Sequence, residues 1–518
     1  MKALWSHRAA RVWMIISAVL IVLALIVNFL AGTMFNGLFD TVFGGVRPVY
    51  ADGMVSMYPA LNASSKEEAL SNAQDFNIKL AEEGFVLLKN EGSTLPLAEG
   101  AKLSVFGKNS VNLSYGGSGS GGFDTSGSKD LYDSLEAAGF STNPTLKAFY
   151  EDDGASGPKR AANSSDLDSG GNQVIATAET PQSKYTDAVK QSYGEYSDAA
   201  VVVITRIGGE GFDLPRYQGS TEGAVSEDSH YLELDTNERD LLEAVCGAGF
   251  EHVIVLFNVP SSFEAAFLTD PAYAEFASQI DAALWIGFTG STGIMALGEI
   301  LNGSVNPSGK LVDTWSADFS KDPTFVNFGT GSNPGCSDKY DGGMYYFVDY
   351  EESIYVGYRY YETRGFTDGE DWYASNVVYP FGYGLSYTTF EWDVRQPSDT
   401  SITKDGLITV EVDVTNTGSA AGKDVVQLYV GAPYYEGGIE KAHKVLAGYG
   451  KTGLLSPGET GTVSISFDPY SVASYDYDDA NGNDFSGYEL EQGDYTLYVS
   501  RNAHEAVDEI SCRLPADI

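Results

Sequence analysis

Residues 199–213 read AAVVVITRIGGEGFD. Ala200–Thr205 is apolar or β-branched without alternation, which is how a strand buried on both faces reads. Leu103–Phe106, His252–Phe257 and Ala282–Ile286 repeat the pattern. Helical spacing occupies 129–138, 236–247 and 291–301, and Asp235-x-x-Glu238 is a capping box for the second of these. Buried strands alternating with helices specify an α/β doubly wound, mostly parallel sheet with helices on both faces. Ligands of such sheets bind beyond the carboxyl ends of the strands. The long loops Gly116–Ser128 and 207–233 lie there. In Gly208-Gly209-Glu210-Gly211-Phe212-Asp213 the glycines let backbone approach a substrate, and Glu210 and Asp213 are carboxylates behind a buried strand. A carboxyl group in a cleft that raises its pKa can act as a general acid. On residue type alone, a solvated loop Glu is the commoner explanation in so acidic a chain. The Ser/Gly/Asp-rich stretch 152–184 is a lid or a surface insertion.

Beyond about residue 391 the period becomes two. Ile408, Val410, Val412 and Val414 alternate with polar residues, as do the runs around Val426–Val430, Val463–Phe467 and Tyr495–Val499. Asn416-Thr-Gly418, Ser456-Pro-Gly458 and Asn481-Gly482 separate them. This predicts a β-sandwich of the immunoglobulin or fibronectin type III kind over 391–518. Upstream, Ser64-x-x-Glu67 is a capping box, with Leu70, Ala73, Phe76 and Leu80 at helical spacing and Gly84 as the stop. Val12–Leu30 (VWMIISAVLIVLALIVNFL) is long enough to cross a bilayer, and a cleaved signal peptide is the alternative. Lys2, His7, Arg8 and Arg11 precede it and no Lys or Arg follows before Arg47, so positive-inside leaves the bulk of the chain extracellular. The expected organisation is a cytoplasmic tail (1–11), a single-pass transmembrane anchor in the cell membrane (12–32), a linker (33–62), the α/β domain (63–390) and the sandwich (391–518).

The 518 residues carry a net charge of -41, which repels nucleic acid, and at 43% hydrophobic they can bury a core. Three cysteines, Cys246, Cys336 and Cys512, make neither a disulfide framework nor a zinc site. Gly117-x-Gly119-x-x-Gly122 matches a dinucleotide fingerprint but follows its strand ten residues too late, and no phosphate-loop motif exists, so a nucleotide-binding domain is disfavoured. Five histidines and no G-x-S-x-G disfavour a serine hydrolase. Asp476–Asp484 suggests calcium, but Ala480 breaks the EF-hand spacing, and a sandwich hairpin loop is the better reading.

Several segments, in order, carry a resemblance. These are EEGFVLLKNEGSTLPL (82–97), VFGKNSVNLSYGGSGSGG (105–122), VVVITRIGGEGFD (201–213), GSVNPSGKLVDTW (303–315), SIYVGYRYYET (353–363) and YPFGYGLSYTTFEW (379–392). VTNTGSAAGKDVVQLYV (414–430) and LSPGETGTVSISF (455–467) continue it. The chain resembles family 3 glycoside hydrolases over about 64–505, in the C-terminal α/β domain and fibronectin III-like domain of circularly permuted, β-glucosidase-like members. The resemblance implies a retaining mechanism with an Asp nucleophile and a Glu acid/base. It puts Glu210 on the acid/base position and Asp213 on the family's acidic neighbour. The Arg that directly follows that Asp in the family is displaced here to Arg216. Gly117 and Ser118 fall in the glycine loop, as substrate-binding residues. No metal or organic cofactor is implied.

The family's nucleophile sits on a (β/α)8 barrel of about 250 residues, and no such series is evident. Asp371-Trp372 (GEDWYAS) comes closest to the nucleophile segment but is placed in a loop before the α/β domain's closing motif. The expectation is the acid/base half of an exo-acting β-glycosidase, completed by a barrel in trans or downstream and acting on an oligosaccharide or β-glycoside. A membrane-anchored, non-catalytic glycan-binding or scaffold protein is the rival. Loss of a barrel would leave an apolar face exposed.

Overall fold

The computed structural model describes residues 7–33, 62–117, 119–160, 177–208, 210, 229–327, 350–397, 400–404 and 406–518. The chain forms two units, Met1–Lys66 and Glu67–Ile518. In the first, the described element is the helix Arg8–Thr33, whose apolar segment Arg8–Leu30 is long enough to cross a membrane. A signal sequence would have the same form.

The second unit is built on a six-stranded sheet of β1 (Val86–Asn90), β2 (Lys102–Phe106), β3 (Ser141–Thr142), β4 (Ala199–Thr205), β5 (Val253–Asn258) and β6 (Ala282–Trp285), ordered β1-β6-β5-β4-β2-β3. β2 to β6 run parallel, and β1 is antiparallel to β6. Successive residues of a strand point to opposite faces. Val202, Ile204, Val255 and Phe257 therefore enter one core with Leu241 and Val245, while Val201, Val203, Ile254 and Leu256 enter the other with Leu131 and Leu297. This double burial is why the strands lack polar alternation. The sequence places β2, β4, β5 and β6 to within a residue or two, whereas β1 showed no periodic signal of its own.

The helices Leu131–Ala137 and Met295–Leu301 cross over the second core. Ser134 Oγ donates to Ile294 O at 2.7 Å, and Gly298 N donates to Ser134 Oγ at 2.9 Å. A Cβ on Gly298 would stand 2.3 Å from Ser134 O, so this approach requires glycine. The expected helix 291–301 begins only at Met295, because residues 291–294 form turns. The Asp235 capping box is present: Asp235 Oδ1 accepts Glu238 N at 2.7 Å, and Glu238 Oε2 accepts Asp235 N at 2.9 Å.

Two expectations need correction. The helix runs Lys66–Gly84, one residue later than Ser64 as its N-cap would start it. Its apolar stripe does not face the body: Leu70, Phe76 and Leu80 are 55%, 61% and 55% exposed, while Ile78 and Ala81 make the packing contacts. Asp371-Trp372 lies in a helix, Glu370–Asn376, where Trp372 packs 4.7 Å beneath the Arg364 guanidinium.

A short antiparallel pair, β7 (Trp315–Ser316) and β8 (Val377–Tyr379), precedes the sandwich, which pairs β9 (Phe390–Arg395), β10 (Ile408–Asn416) and β13 (Thr460–Phe467) in one sheet. β12 (Val445–Lys451), β11 (Val425–Gly431), β16 (Gly493–Ser500) and β17 (Ala506–Leu514) form the other. Val410, Val412 and Val414 meet Val426, Leu428, Leu497 and Val499 in its core. β12 (VLAGYGK) hides its strand character because Val463 and Ile465 fill the places where Cβ atoms of Gly450 and Gly448 would stand. β11 is buried on its outer side too, where Gln427 donates to Gly382 O at 3.0 Å and joins the sandwich to the α/β layers. Asp476–Asp484 forms the turn of a hairpin, as the sequence suggests. Among the described residues no closed parallel barrel occurs.

Candidate active site

The carboxyl ends of the parallel strands converge on one edge, and buried polar groups fix the loops that leave them. Asn258, the last residue of β5, is fully buried. Its Oδ1 accepts Ser114 N at 2.6 Å, and its Nδ2 donates to Ser114 O at 2.9 Å and Gly287 O at 2.7 Å. One side chain thus ties together the loops after β2, β5 and β6. Behind β2, Gly107 has φ +97°, and a Cβ there would lie 2.8 Å from Val203 O. The glycine loop can therefore cross β4 closely.

Arg206 anchors the start of the loop after β4. It is fully buried and donates to Glu238 Oε1 at 2.6 Å and Oε2 at 2.8 Å. It also donates to Tyr231 O at 2.6 Å and Thr205 O at 2.9 Å. Four residues later Glu210 emerges exposed. Its Oε2 accepts from both the backbone N and the Oγ of Ser120, each at 2.7 Å. The Ser120 amide, then its hydroxyl, hold the Glu210 carboxyl below the usual carboxylate range, so in this chain it is ionised. The structure thus brings Glu210 to the glycine loop, at the edge where a ligand is expected. Gly117 lies in that same loop. Ser118, Asp213 and Arg216 lie outside the described residues. Ser120 was missed as a partner because its Ser/Gly setting carries no distinguishing pattern.

Glu179 lies beneath this edge. Its two oxygens accept Lys108 N at 3.2 and 3.0 Å, and one accepts Thr180 N at 2.8 Å. Burial pushes its carboxyl up to about 8 against those amide donors. Burial likewise pushes Asp235 up to about 7. In both, the folded state holds a proton that the unfolded chain gives up above its ordinary carboxyl pKa. Unfolding then releases protons, and stability falls as pH rises from about 4.5 to 8. Urea midpoints at pH 5, 6.5 and 8 should decline in that order. Glu179→Gln should flatten the decline only in part, because Asp235, Glu233 and His230, whose pKa values are also raised, contribute to it; an unchanged slope would contradict the assignment.

Among the described residues His230, Glu264 and Asp318 are grouped closely enough to hold a metal ion. However, Glu264 Oε1 already accepts from His230 Nδ1 at 3.0 Å and Phe319 N at 2.6 Å. The bond to Glu264 raises the His230 pKa and favours the imidazolium, which cannot ligate. The group is an ion-paired strut beside the loop.

A doubly wound sheet with a loop carboxylate at its ligand edge, continued by a fibronectin-like sandwich, defines the class. Residues 85–387 match the glycosyl hydrolase family 3 C-terminal domain, and residues 424–503 match a fibronectin type III-like domain. The chain belongs to glycoside hydrolase family 3. It is 31% identical over 455 residues to beta-glucosidase A of Butyrivibrio fibrisolvens, covering 83% of this chain and 50% of the relative. It is 33% identical over 442 residues to a beta-glucosidase of Ruminococcus albus, covering 85% and 40%. A beta-glucosidase structure from Paenibacillus barengoltzii superposes with TM-score 0.69 at 31% identity, covering 86% of this chain and 44% of that one. Beta-glucosidase 3B of Thermotoga neapolitana, in complex with glucose, gives 0.67 at 29%, covering 87% and 55%. The chain spans about half the length of the curated relatives it matches.

Proposed function

We propose that this chain supplies the acid/base half of a retaining, exo-acting β-glycosidase of the β-glucosidase type. Glu210 protonates the leaving glycosidic oxygen and then, as a carboxylate, activates the water that releases the sugar. Asp213 and Arg216, with Gly117 and Ser118, shape the pocket for the leaving-group sugar. The nucleophile comes from a (β/α)8 barrel supplied in trans or downstream. The observation that carries this reading is the Glu210 carboxylate, presented at the sheet's ligand edge and aimed by Ser120. Its low pKa suits the second step. A barrel closing over it would strip water away and raise the pKa for the first. The exposed Leu70, Phe76 and Leu80 offer an apolar surface for such a partner. The helix Arg8–Thr33 anchors the chain in the cell membrane, with residues 1–11 cytoplasmic and the rest outside.

The exposed, ionised Glu210 is also what a membrane-anchored, non-catalytic glycan-binding protein would show. The full chain in detergent micelles should therefore be assayed on aryl β-glycosides, alone and with the barrel of a family relative added. No turnover alone and turnover with the barrel support the proposal. Glycan binding without turnover in the mixture would favour the binding protein.

A further inference from the structure

The turn between β14 (Ser474–Asp476) and β15 (Gly487–Glu489) reads YDDANGNDFS. Ser474 pairs with Glu489 and Asp476 with Gly487. Two residues along a strand return to the same face, so Asp476 and Glu489 share one face as diagonal neighbours. Both are nearly covered, at 2% and 4% exposed. In each, one carboxylate oxygen is engaged and the other is not. Asp476 Oδ1 accepts Asp478 N at 3.2 Å and Ala480 N at 3.0 Å, while its buried Oδ2 has no hydrogen-bond partner. Glu489 Oε2 accepts Asn481 Nδ2 at 3.2 Å and Asn483 Nδ2 at 2.5 Å, while its buried Oε1 has no partner. No lysine or arginine pairs with either carboxylate among the described ion pairs.

A buried carboxylate oxygen left unpaired is costly. Two on one face of a short hairpin call for a compensating cation. Oxygen is the only ligand type the loop offers, and its irregular shape suits calcium, which accepts six to eight oxygens at about 2.3–2.6 Å. Magnesium demands a near-ideal octahedron at about 2.0–2.1 Å. The exposed Asp478 and Asp484 add an attractive field. Ala480, which breaks the EF-hand spacing, serves here through its backbone amide, so no side-chain ligand is needed at that position.

We propose that the β14–β15 hairpin is a calcium site whose primary protein ligands are Asp476 Oδ2 and Glu489 Oε1, completed by loop oxygens and water. The test is calorimetric titration of the EDTA-treated full chain with CaCl2, then with MgCl2. One calcium per chain is expected, with a dissociation constant in the range of extracellular modules, about 10⁻⁴–10⁻³ M. Magnesium should bind at least about tenfold more weakly, and Glu489→Gln and Asp476→Asn should each weaken calcium by at least about tenfold. Calcium should also raise the melting temperature of the wild type and not of Glu489→Gln. If a variant fails to fold, the wild-type titration decides by itself. Absence of binding up to about 10 mM calcium, well above that range, overturns the proposal. Equal magnesium affinity, or binding unchanged in both folded variants, overturns it as well.

Discussion

In the barrel-completed protein, Glu210→Gln should slow hydrolysis of disaccharides and alkyl β-glycosides by about 10²–10⁴-fold. Activated aryl glycosides should lose far less at the glycosylation step. A good leaving group departs as an anion and needs no proton, whereas a sugar alkoxide must be protonated as it leaves. Glutamine keeps the size of Glu210 and an oxygen that can accept from Ser120 at the same place, so the loop should hold its position. The check is kcat/KM across substrates of graded leaving-group pKa. A steeper dependence in the variant is the expected signature. Equal slowing of every substrate would mean that Glu210 positions the sugar without passing it a proton.

Arg206→Leu should destabilise the second unit by about 3–5 kcal/mol, the cost of leaving one partner of a buried ion pair uncompensated. The change strands the Glu238 carboxylate and removes the donor to Tyr231 O and Thr205 O. Glu238 is also half of the helix cap at Asp235, so the start of helix Thr236–Cys246 should loosen with it. Denaturant unfolding measures the loss. The double variant Arg206→Leu/Glu238→Leu should lose less than the sum of the single ones, because it leaves no lone charge. Simple additivity would show that the pair does not act as a unit.

The strands nearest the site were legible because burial on both faces removes polar alternation, as in Ala199–Thr205. The Asp235 capping box was legible because it is a local pattern. β1 and β12 were not: VLLKN is short, and VLAGYGK has glycines where side chains of the facing sheet intrude. The apolar spacing of Leu70, Phe76 and Leu80 announced a helix correctly but could not say that the stripe faces outward. Local pattern fixes a helix; which face is covered depends on residues far away in sequence. At the site, Glu210 was legible through its glycine loop after a buried strand and the family resemblance. Its partner Ser120 was not, since contact across 90 residues leaves no trace in spacing. Arg206, Glu179 and Asn258 escaped for the same reason: their partners come from loops that meet only when the sheet is assembled.

The most direct measurement of the acid/base assignment uses Glu210→Ala with a family barrel in trans, an activated aryl β-glycoside and sodium azide. A small anion can take the space left by the side chain and attack the glycosyl-enzyme without a general base. Azide should restore turnover and yield the β-glycosyl azide, by two successive inversions. An α-glycosyl azide would instead identify Glu210 as the nucleophile. Turnover in Glu210→Ala equal to wild type on every substrate would remove Glu210 from the chemistry altogether.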